Sequence, residues 1–301
     1  MSVERIDSLL MDAASRLRGA GVESPRREAR LLLAHVIGAK QEDIIAGHAA
    51  HLTAENLAMF EGVLARRIAR EPLSYITGSR EFWSRPFAVG AGVLVPRPET
   101  ETLIEEALRR FPDRGHALRV LDLGTGSGCL LLTFLLERSN ARGVGADISQ
   151  EALAFAKRNA KALDLDGRVE FVPSDWAKNI SGAFDVIFVN PPYIRKSELP
   201  GLEPEVDCYE PKAALDGGED GLDAYRRLAA SVPFHLSPGG LAFFEIGQGQ
   251  AESVGNLLKE AGLVLEATIS DLAGIARCLV AGLETPADGA KKHLALERRS
   301  G

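Results

Sequence analysis

The run Val120-Leu121-Asp122-Leu123-Gly124-Thr125-Gly126-Ser127-Gly128 constrains the fold of this chain more than any other segment. An apolar strand ends in a glycine-rich turn, and the residues after Gly128 carry the apolar content of a buried helix. Glycines in such a turn allow backbone angles and close approaches that a Cβ forbids. A strand joined to a helix in this way opens a parallel α/β sheet, which binds ligands at the carboxyl ends of its strands.

The rest of the chain keeps that rhythm. Strands are read at Arg119 to Leu123, Gly143 to Asp147, Val169 to Val172, Asp185 to Asn190 and Leu241 to Glu245. Helices are read at Leu130 to Glu137, Glu151 to Ala162, Leu222 to Phe234 and Gln250 to Ala261. Two final strands, near Val264 to Ile269 and Arg277 to Ala281, are expected to form an antiparallel edge. The expected fold class is therefore α/β, Rossmann-like, with a seven-stranded and mostly parallel sheet.

Residues 1–74 read differently, as a helical bundle. Ile6, Leu9, Leu10, Ala13 and Leu17 recur at helical spacing up to Gly19 and Gly21. Ser24-Pro25 supplies an N-cap and a first-turn proline for a helix that Gly38 stops. A short helix from Glu42 to Gly47 follows, and Thr53 caps a longer one through Leu57, Phe60, Leu64 and Ile68. The texture changes at Ser74. Residues 75–92 read as a β-hairpin or extended linker around Ser84-Arg85-Pro86. Residues 93–283 form the sheet domain, and the polar, basic residues 284–301 read as a disordered tail.

Composition narrows the chemistry. With 46% hydrophobic and 26% charged residues, the chain has the balance of a globular protein. Cys129 to Leu136 is about half the length a membrane span needs. Met1 to Leu10 lacks the apolar centre of a signal peptide, so the expected location is the cytoplasm, with no membrane partner. The three cysteines and six histidines form neither a zinc spacing nor a disulfide framework, so no metal is expected. The net charge of −7 argues against a large sequence-independent grip on nucleic acid. Arg66, Arg67 and Arg70 are the candidates for a local basic patch, though such a run can equally be a solvated helix face.

A glycine-rich turn can serve a dinucleotide as well as other nucleotides. Here the spacing is Gly-x-Gly-x-Gly, with Asp122 just before it. A carboxylate so close would repel a pyrophosphate but suits the cationic amino-acid end of S-adenosyl-L-methionine. Gly124, Thr125, Gly126, Ser127 and Gly128 are therefore candidate cofactor residues. Asp147 ends the second strand, where it can accept hydrogen bonds from ribose hydroxyls or, alternatively, cap the next helix; Ser149 is the better cap. Trp176, after the third strand, offers a face to adenine or simply fills core.

The candidate reaction centre is Asn190-Pro191-Pro192-Tyr193, reached directly from an apolar strand. Two prolines end a strand well enough, but that does not explain the flanking Asn and Tyr at the ligand edge. An amide or conjugated amino nitrogen is a poor nucleophile because its lone pair is delocalised. The Asn190 side-chain oxygen and the Pro191 carbonyl can accept its N–H groups and hold it toward a methyl donor. Prolines stiffen that carbonyl's direction, and Tyr193 can stack on the planar group. Asn190, Pro191 and Tyr193 are thus the catalytic candidates.

Further motifs accompany this centre. They are Pro72-Leu73-Ser74-Tyr75-Ile76-Thr77-Gly78, Val95-Pro96-Arg97-Pro98-Glu99-Thr100-Glu101, Glu210-Pro211, Ala214-Leu215, Gly217-Gly218, Asp220-Gly221-Leu222 and Asp271-Leu272-Ala273-Gly274. In this combination the chain resembles the protein-(glutamine-N5) methyltransferases that modify class 1 peptide chain release factors. The resemblance implies a class I methyltransferase domain using S-adenosyl-L-methionine, with cofactor contacts at Gly124 to Gly128, Asp147, Trp176 and Asn190. It implies substrate contacts along Asn190 to Tyr193, the glutamine of a Gly-Gly-Gln motif as substrate, and an N-terminal domain that helps dock the release factor. Leu94 to Glu101 is expected to line the entrance, with Arg97 and Glu99 alternatively forming an ion pair. The loop from Ile194 to Gly221 exceeds an ordinary connection and is expected to close over substrate. Tyr209 stands where the family usually has Phe, and Ala276 replaces an expected acidic residue. The competing readings are an adenine-N6 DNA methyltransferase, which needs a basic target-recognition domain, and a non-catalytic cofactor-binding module.

Overall fold

The computed structural model describes residues 3–46 and 52–284, so the expected disordered tail lies outside the described residues, as does the Gly47 end of the short third helix. The chain divides into two compact units, one of residues 1–79, 89–91 and 201–210, the other of residues 80–88, 92–200 and 211–301.

The first unit is helical. It comprises α1 (Val3–Gly19), α2 (Pro25–Ile37), α3 (Gln41–Ile45), α4 (Ala54–Ile68) and α5 (Leu73–Thr77). Apolar residues at helical spacing converge on one core of Ala13, Leu17, Leu32, Leu33, Phe60, Leu64 and Ile76. Gly38 ends α2 in the left-handed region, and Thr53 caps α4 by accepting from the Asn56 N–H at 3.1 Å. Ser24 occupies the N-cap position of α2 without a side-chain cap bond, so Pro25 alone sets that helix start. Helix α5 was not anticipated. Its five residues are too few for a periodic signal, and the change of texture read at Ser74 comes after Gly78, which ends the helix at φ 72°.

A hairpin of β1 (Ser79–Phe82) and β2 (Arg85–Ala88) follows. Its turn is Trp83-Ser84, both at positive φ (51° and 57°), which is the geometry that matches the twist of paired strands. The Ser84-Arg85-Pro86 turn read from sequence is therefore displaced, and Pro86 lies within β2.

The second unit carries a seven-stranded sheet in the order β5-β4-β3-β6-β7-β9-β8. Its strands are β3 (Arg119–Leu123), β4 (Arg142–Asp147), β5 (Val169–Pro173), β6 (Phe184–Val189), β7 (Leu236–Glu245), β8 (Leu263–Ser270) and β9 (Ala276–Leu283). From β5 through β7 neighbouring strands are parallel. Strand β9 runs antiparallel to both β7 and β8. The two final strands therefore form the expected antiparallel edge, with β9 next to β7 and β8 outermost.

Alternation along each strand feeds two cores. Val120, Val186, Phe188 and Phe243 face one core with α6 (Glu101–Arg110) and α7 (Cys129–Glu137). Leu121, Ile187, Val189 and Phe244 face the other with α10 (Asp223–Ser231) and α11 (Ala251–Glu260). Helix α8 (Gln150–Ala162) joins β4 to β5. The chain leaves β3 toward β4 and returns on its other side at β6. This is the switch point at which open α/β sheets form their ligand crevice.

The loop after β6 has structure of its own. Ile194 bridges Asp216, and hydrogen bonds from Ile194 N to Leu215 O (3.1 Å) and Gly217 N to Ile194 O (2.8 Å) close its ends. Between them, α9 (Pro204–Tyr209) belongs to the first unit. There Glu205 accepts from Arg67 at 2.7 Å and from Arg70, while Arg67 also pairs with Glu28 and Arg66 with Glu71. The candidate basic patch is thus an internally paired network. Tyr209 uses the hydroxyl that a Phe would lack to donate to Ala69 O at 2.7 Å. Among the described residues no helix is long and apolar enough to cross a membrane, and no group of three potential ligands could hold a metal ion.

Candidate active site

The glycine turn is stitched to the neighbouring strand end. The N–H groups of Gly124 and Thr125 both donate to Ala146 O, at 2.8 and 2.9 Å. Gly124, Gly126 and Gly128 have φ of 79°, 55° and 80°, a region that L side chains rarely adopt. A Cβ on Gly124 would also stand 3.2 Å from the Trp176 ring. From the far side, Asn159 of α8 donates to Ser127 O (2.9 Å) and Ala88 O (3.1 Å) and accepts from Ala88 N (2.7 Å). This buried asparagine, absent from the sequence reading, fixes the turn against β2.

A cavity of about 500 Å³ opens at these strand ends, within the range of small-molecule sites. Gly124, Thr125, Gly126, Ser127, Asp147, Trp176, Asn190 and Pro192 line it, together with Asp122 and the segment from Gly92 to Thr100. Gly128 stands just behind the lining and starts α7. Pro191 and Tyr193 are not part of the lining: Pro191 is buried, and Tyr193 is half-buried against the core beneath α10.

Asp122 is fully buried, and its carboxylate accepts from Thr125 Oγ1 at 2.7 Å. Burial pushes its pKa up to about 7, reinforced by Asp147 and opposed by the Thr125 bond. Asp147 accepts from Gly126 N and Ser149 N, both at 2.9 Å, so each oxygen already holds one backbone N–H. Ser149 is the cap of α8, accepting from Ala152 N at 3.1 Å. Trp176 serves both readings: its ring lines the cavity and also touches the core. Its φ of 54° is a left-handed conformation that costs about 1–3 kcal/mol in a non-glycine residue.

The residues fit an S-adenosyl-L-methionine molecule. The glycine turn leaves room that a Cβ would fill, and two carboxylates flank it for a cationic and a polyhydroxyl group. The Trp176 ring offers an apolar face beside them.

Beneath Asn190 lies a group that the sequence reading missed. Glu245 ends β7, fully buried. Its Oε2 accepts from Thr100 Oγ1 at 2.6 Å, and its Oε1 lies 3.3 Å from the Tyr193 hydroxyl. Thr100 Oγ1 is in turn 3.4 Å from Asn190 Nδ2. Burial pushes Glu245 up to about 7, against the pull of Thr100, Tyr193 and Arg277 and with Glu99 reinforcing it. Burial and Glu245 both raise the Tyr193 phenol, which stays protonated and donates. Gln250 donates to Tyr193 O at 3.0 Å, and Tyr225 donates to Glu245 O at 2.7 Å. A Cβ on Gly217 would meet Tyr193 Cα at 2.9 Å, so that glycine motif lets the chain lie against the reaction segment. One signal was present in the sequence: an acid closing an otherwise apolar strand at the ligand edge.

Residues 8–78 match the PrmC N-terminal domain and residues 100–200 the methyltransferase small domain. A release factor glutamine methyltransferase of Rhodospirillum rubrum is 49% identical over 273 residues, 91% of this chain and 83% of that protein. This chain belongs to the release factor glutamine methyltransferase family. A second member, from Caulobacter vibrioides, is 43% identical over 91% of this chain and 94% of its own length. In fold alone, the catalytic domain of hMettl16 is similar at a TM-score of 0.56 and 13% identity, covering 74% of this chain and 83% of that one. The Rossmann-like methyltransferase fold and the helical N-terminal region expected from sequence are therefore both present. In family terms the Asp271-Leu272-Ala273-Gly274 motif is a turn: Asp271 accepts from Ala273 N (2.9 Å), Ile275 N (3.0 Å) and Arg277 Nε (3.0 Å).

Proposed function

We propose that this protein transfers a methyl group from S-adenosyl-L-methionine to the side-chain amide nitrogen of the glutamine in the Gly-Gly-Gln motif of class 1 peptide chain release factors. The observation that carries this reading is Asn190-Pro191-Pro192-Tyr193 at a strand end beside a glycine-turn cavity, in a chain 49% identical to a release factor glutamine methyltransferase. When bound, S-adenosyl-L-methionine supplies an electrophilic methyl on a sulfonium.

Each residue then has a defined task. Gly124 to Gly128 admit the cofactor's amino-acid end, and ionised Asp122 pairs with its ammonium. Asp147 accepts ribose hydroxyls with its remaining lone pairs, and Trp176 covers the adenine. Asn190 Oδ1 and the Pro191 carbonyl accept the two N–H bonds of the glutamine amide and fix its nitrogen. Pro192 and Tyr193 flank the planar amide, the ring braced by its hydroxyl on Glu245. Holding a weak nucleophile in line can remove about 7–11 kcal/mol of barrier, whereas one neutral hydrogen bond contributes about 1 kcal/mol. Orientation therefore outweighs any base. An N-alkylated amide cation is strongly acidic and sheds its proton without one. Residues 1–74 serve to dock the release factor, and the loop from Ile194 to Gly221 closes over its tip. The reaction takes place in the cytoplasm.

The test is incubation with isotopically labelled cofactor and, in parallel, purified release factor or DNA. Label on the Gly-Gly-Gln glutamine is expected. Label on DNA with none on the glutamine would overturn the reading in favour of an adenine-N6 enzyme.

A further inference from the structure

The reacting amide must meet an acceptor, yet an asparagine side chain presents an oxygen and an NH₂ of nearly the same shape. Whichever end faces the substrate decides whether Asn190 attracts or repels the amide N–H. The chain around Asn190 settles that choice. Thr100 has one hydroxyl proton and two lone pairs. At 2.6 Å from the Glu245 carboxylate, that proton is committed to Oε2, a charge-assisted bond. Thr100 Oγ1 can then only accept on its remaining side, and the group 3.4 Å away is Asn190 Nδ2.

We propose that Glu245 and Thr100 are positioning residues that act through Asn190, holding its NH₂ inward so that its oxygen faces the substrate amide. The inference rests on the function proposed above, and it adds two residues from elements far from the reaction segment. Thr100 lies just ahead of α6 and Glu245 at the end of β7, both buried to within 2% of full exclusion. The same carboxylate receives the Tyr193 hydroxyl at 3.3 Å, so one buried anion orients both polar side chains of the Asn-Pro-Pro-Tyr segment. The bonds at 3.3 and 3.4 Å are long, as those of a site without substrate commonly are, and substrate binding is expected to shorten them. A purely structural carboxylate would gain as much from any donor. Here both donors belong to, or lead to, the residues at the reaction centre.

The test uses Thr100→Val, which keeps volume and removes the hydroxyl, beside Thr100→Ser, which restores it. In single turnover with saturating cofactor and release factor, Thr100→Val should lose roughly 10–100-fold in rate, a cost typical of a misplaced reacting group. Its cofactor Kd should stay close to wild type, and its thermal midpoint should fall by about a few degrees, the cost of leaving the buried Glu245 carboxylate without one donor. Thr100→Ser should recover to within about threefold of wild type, an expectation from the restored hydroxyl. A second readout needs no substrate: in protein with ¹⁵N-labelled asparagine, the Asn190 NH₂ should show one proton shifted by hydrogen bonding and slow exchange. Thr100→Val should lose both features and Thr100→Ser keep them. A Thr100→Val rate within twofold of wild type, or an unchanged Asn190 NH₂ signal, would overturn the proposal. If wild-type enzyme leaves the release factor unmodified, the proposed function fails, while the Asn190 signal still decides the orientation.

Discussion

The two ends of the cavity are built alike and could hardly differ more in how they are assembled. Each rests on a buried carboxylate that accepts from a threonine hydroxyl and has a pKa pushed up to about 7 by burial: Asp122 with Thr125, and Glu245 with Thr100. At the cofactor end the partners are three residues apart in one turn. At the reaction end they are separated by 145 residues and meet only when the sheet closes. In the function proposed above, the first carboxylate pairs with the cofactor's ammonium and serves binding, and the second orients Asn190 and Tyr193 and serves turnover. Similar local chemistry therefore serves two steps, and each should fail separately.

The largest effect is expected at the reaction end. Asn190→Ala should keep cofactor affinity within about threefold and lower turnover by about 10²–10³-fold, comparable with removing one preorganised group from a transition-state site. A cofactor titration beside steady-state rates checks it, and near-normal turnover would sink the assignment of Asn190.

Asp122→Asn tests the cofactor end. Losing a charge-assisted contact worth roughly 1.5–3 kcal/mol should weaken cofactor binding by about 10–100-fold, with the saturated rate little changed. Calorimetry of cofactor binding reads this directly. Stability should move the other way. Because Asp122 and Glu245 have raised folded pKa values, between about pH 4 and 7 they hold protons in the folded state that the unfolded chain has lost. Their contribution to stability is thus full below about pH 4, falls as pH rises to 7 and stays low above it. Asp122→Asn removes one such group, so its Tm at pH 8 should exceed that of wild type by a few degrees, of the order of 2–4 °C for each kcal/mol in a chain of this size.

Tyr209→Phe should have the smallest effect. It removes one solvent-accessible hydrogen bond to Ala69 O within the helical unit. A loss near 1 kcal/mol or less is expected in thermal unfolding, with cofactor affinity unchanged.

The same contrast explains what could be read in the sequence. The glycine turn, Asp147 and Asn190-Pro191-Pro192-Tyr193 each stand at the end of a strand, and each declares itself through its own sequence neighbours. The inner parallel strands β3 and β6 were legible because they are buried along nearly their whole length and read as apolar runs. Helix α5 was too short to carry a period, and the hairpin turn at Trp83-Ser84 lacks the glycine or asparagine that signals such geometry. The placing of β9 between β7 and β8 depends on pairing order, which no local pattern encodes. Thr100 sits within a segment that reads only as lining the entrance, and Glu245 at the end of a strand that reads for its apolar content. Asn159 and Gln250, which hold the glycine turn and the Tyr193 carbonyl, look like ordinary helix residues until the fold brings their partners near.

The separation of the two ends is tested most directly by pH. Cofactor Kd and single-turnover rate would be measured from pH 5.5 to 8.5 on wild type, Asp122→Asn and Glu245→Gln. In wild type, both affinity and rate should fall by up to about tenfold per pH unit below 7, as each carboxylate takes up its proton. The titratable and charged groups facing Glu245 are Tyr193, Tyr225, Arg277, Glu99, Cys129 and Cys278, beside the Thr100 hydroxyl. Asp122→Asn should flatten the affinity profile and leave the rate profile, and Glu245→Gln should do the reverse. If either substitution flattens both profiles, or neither, the two carboxylates do not divide binding from turnover.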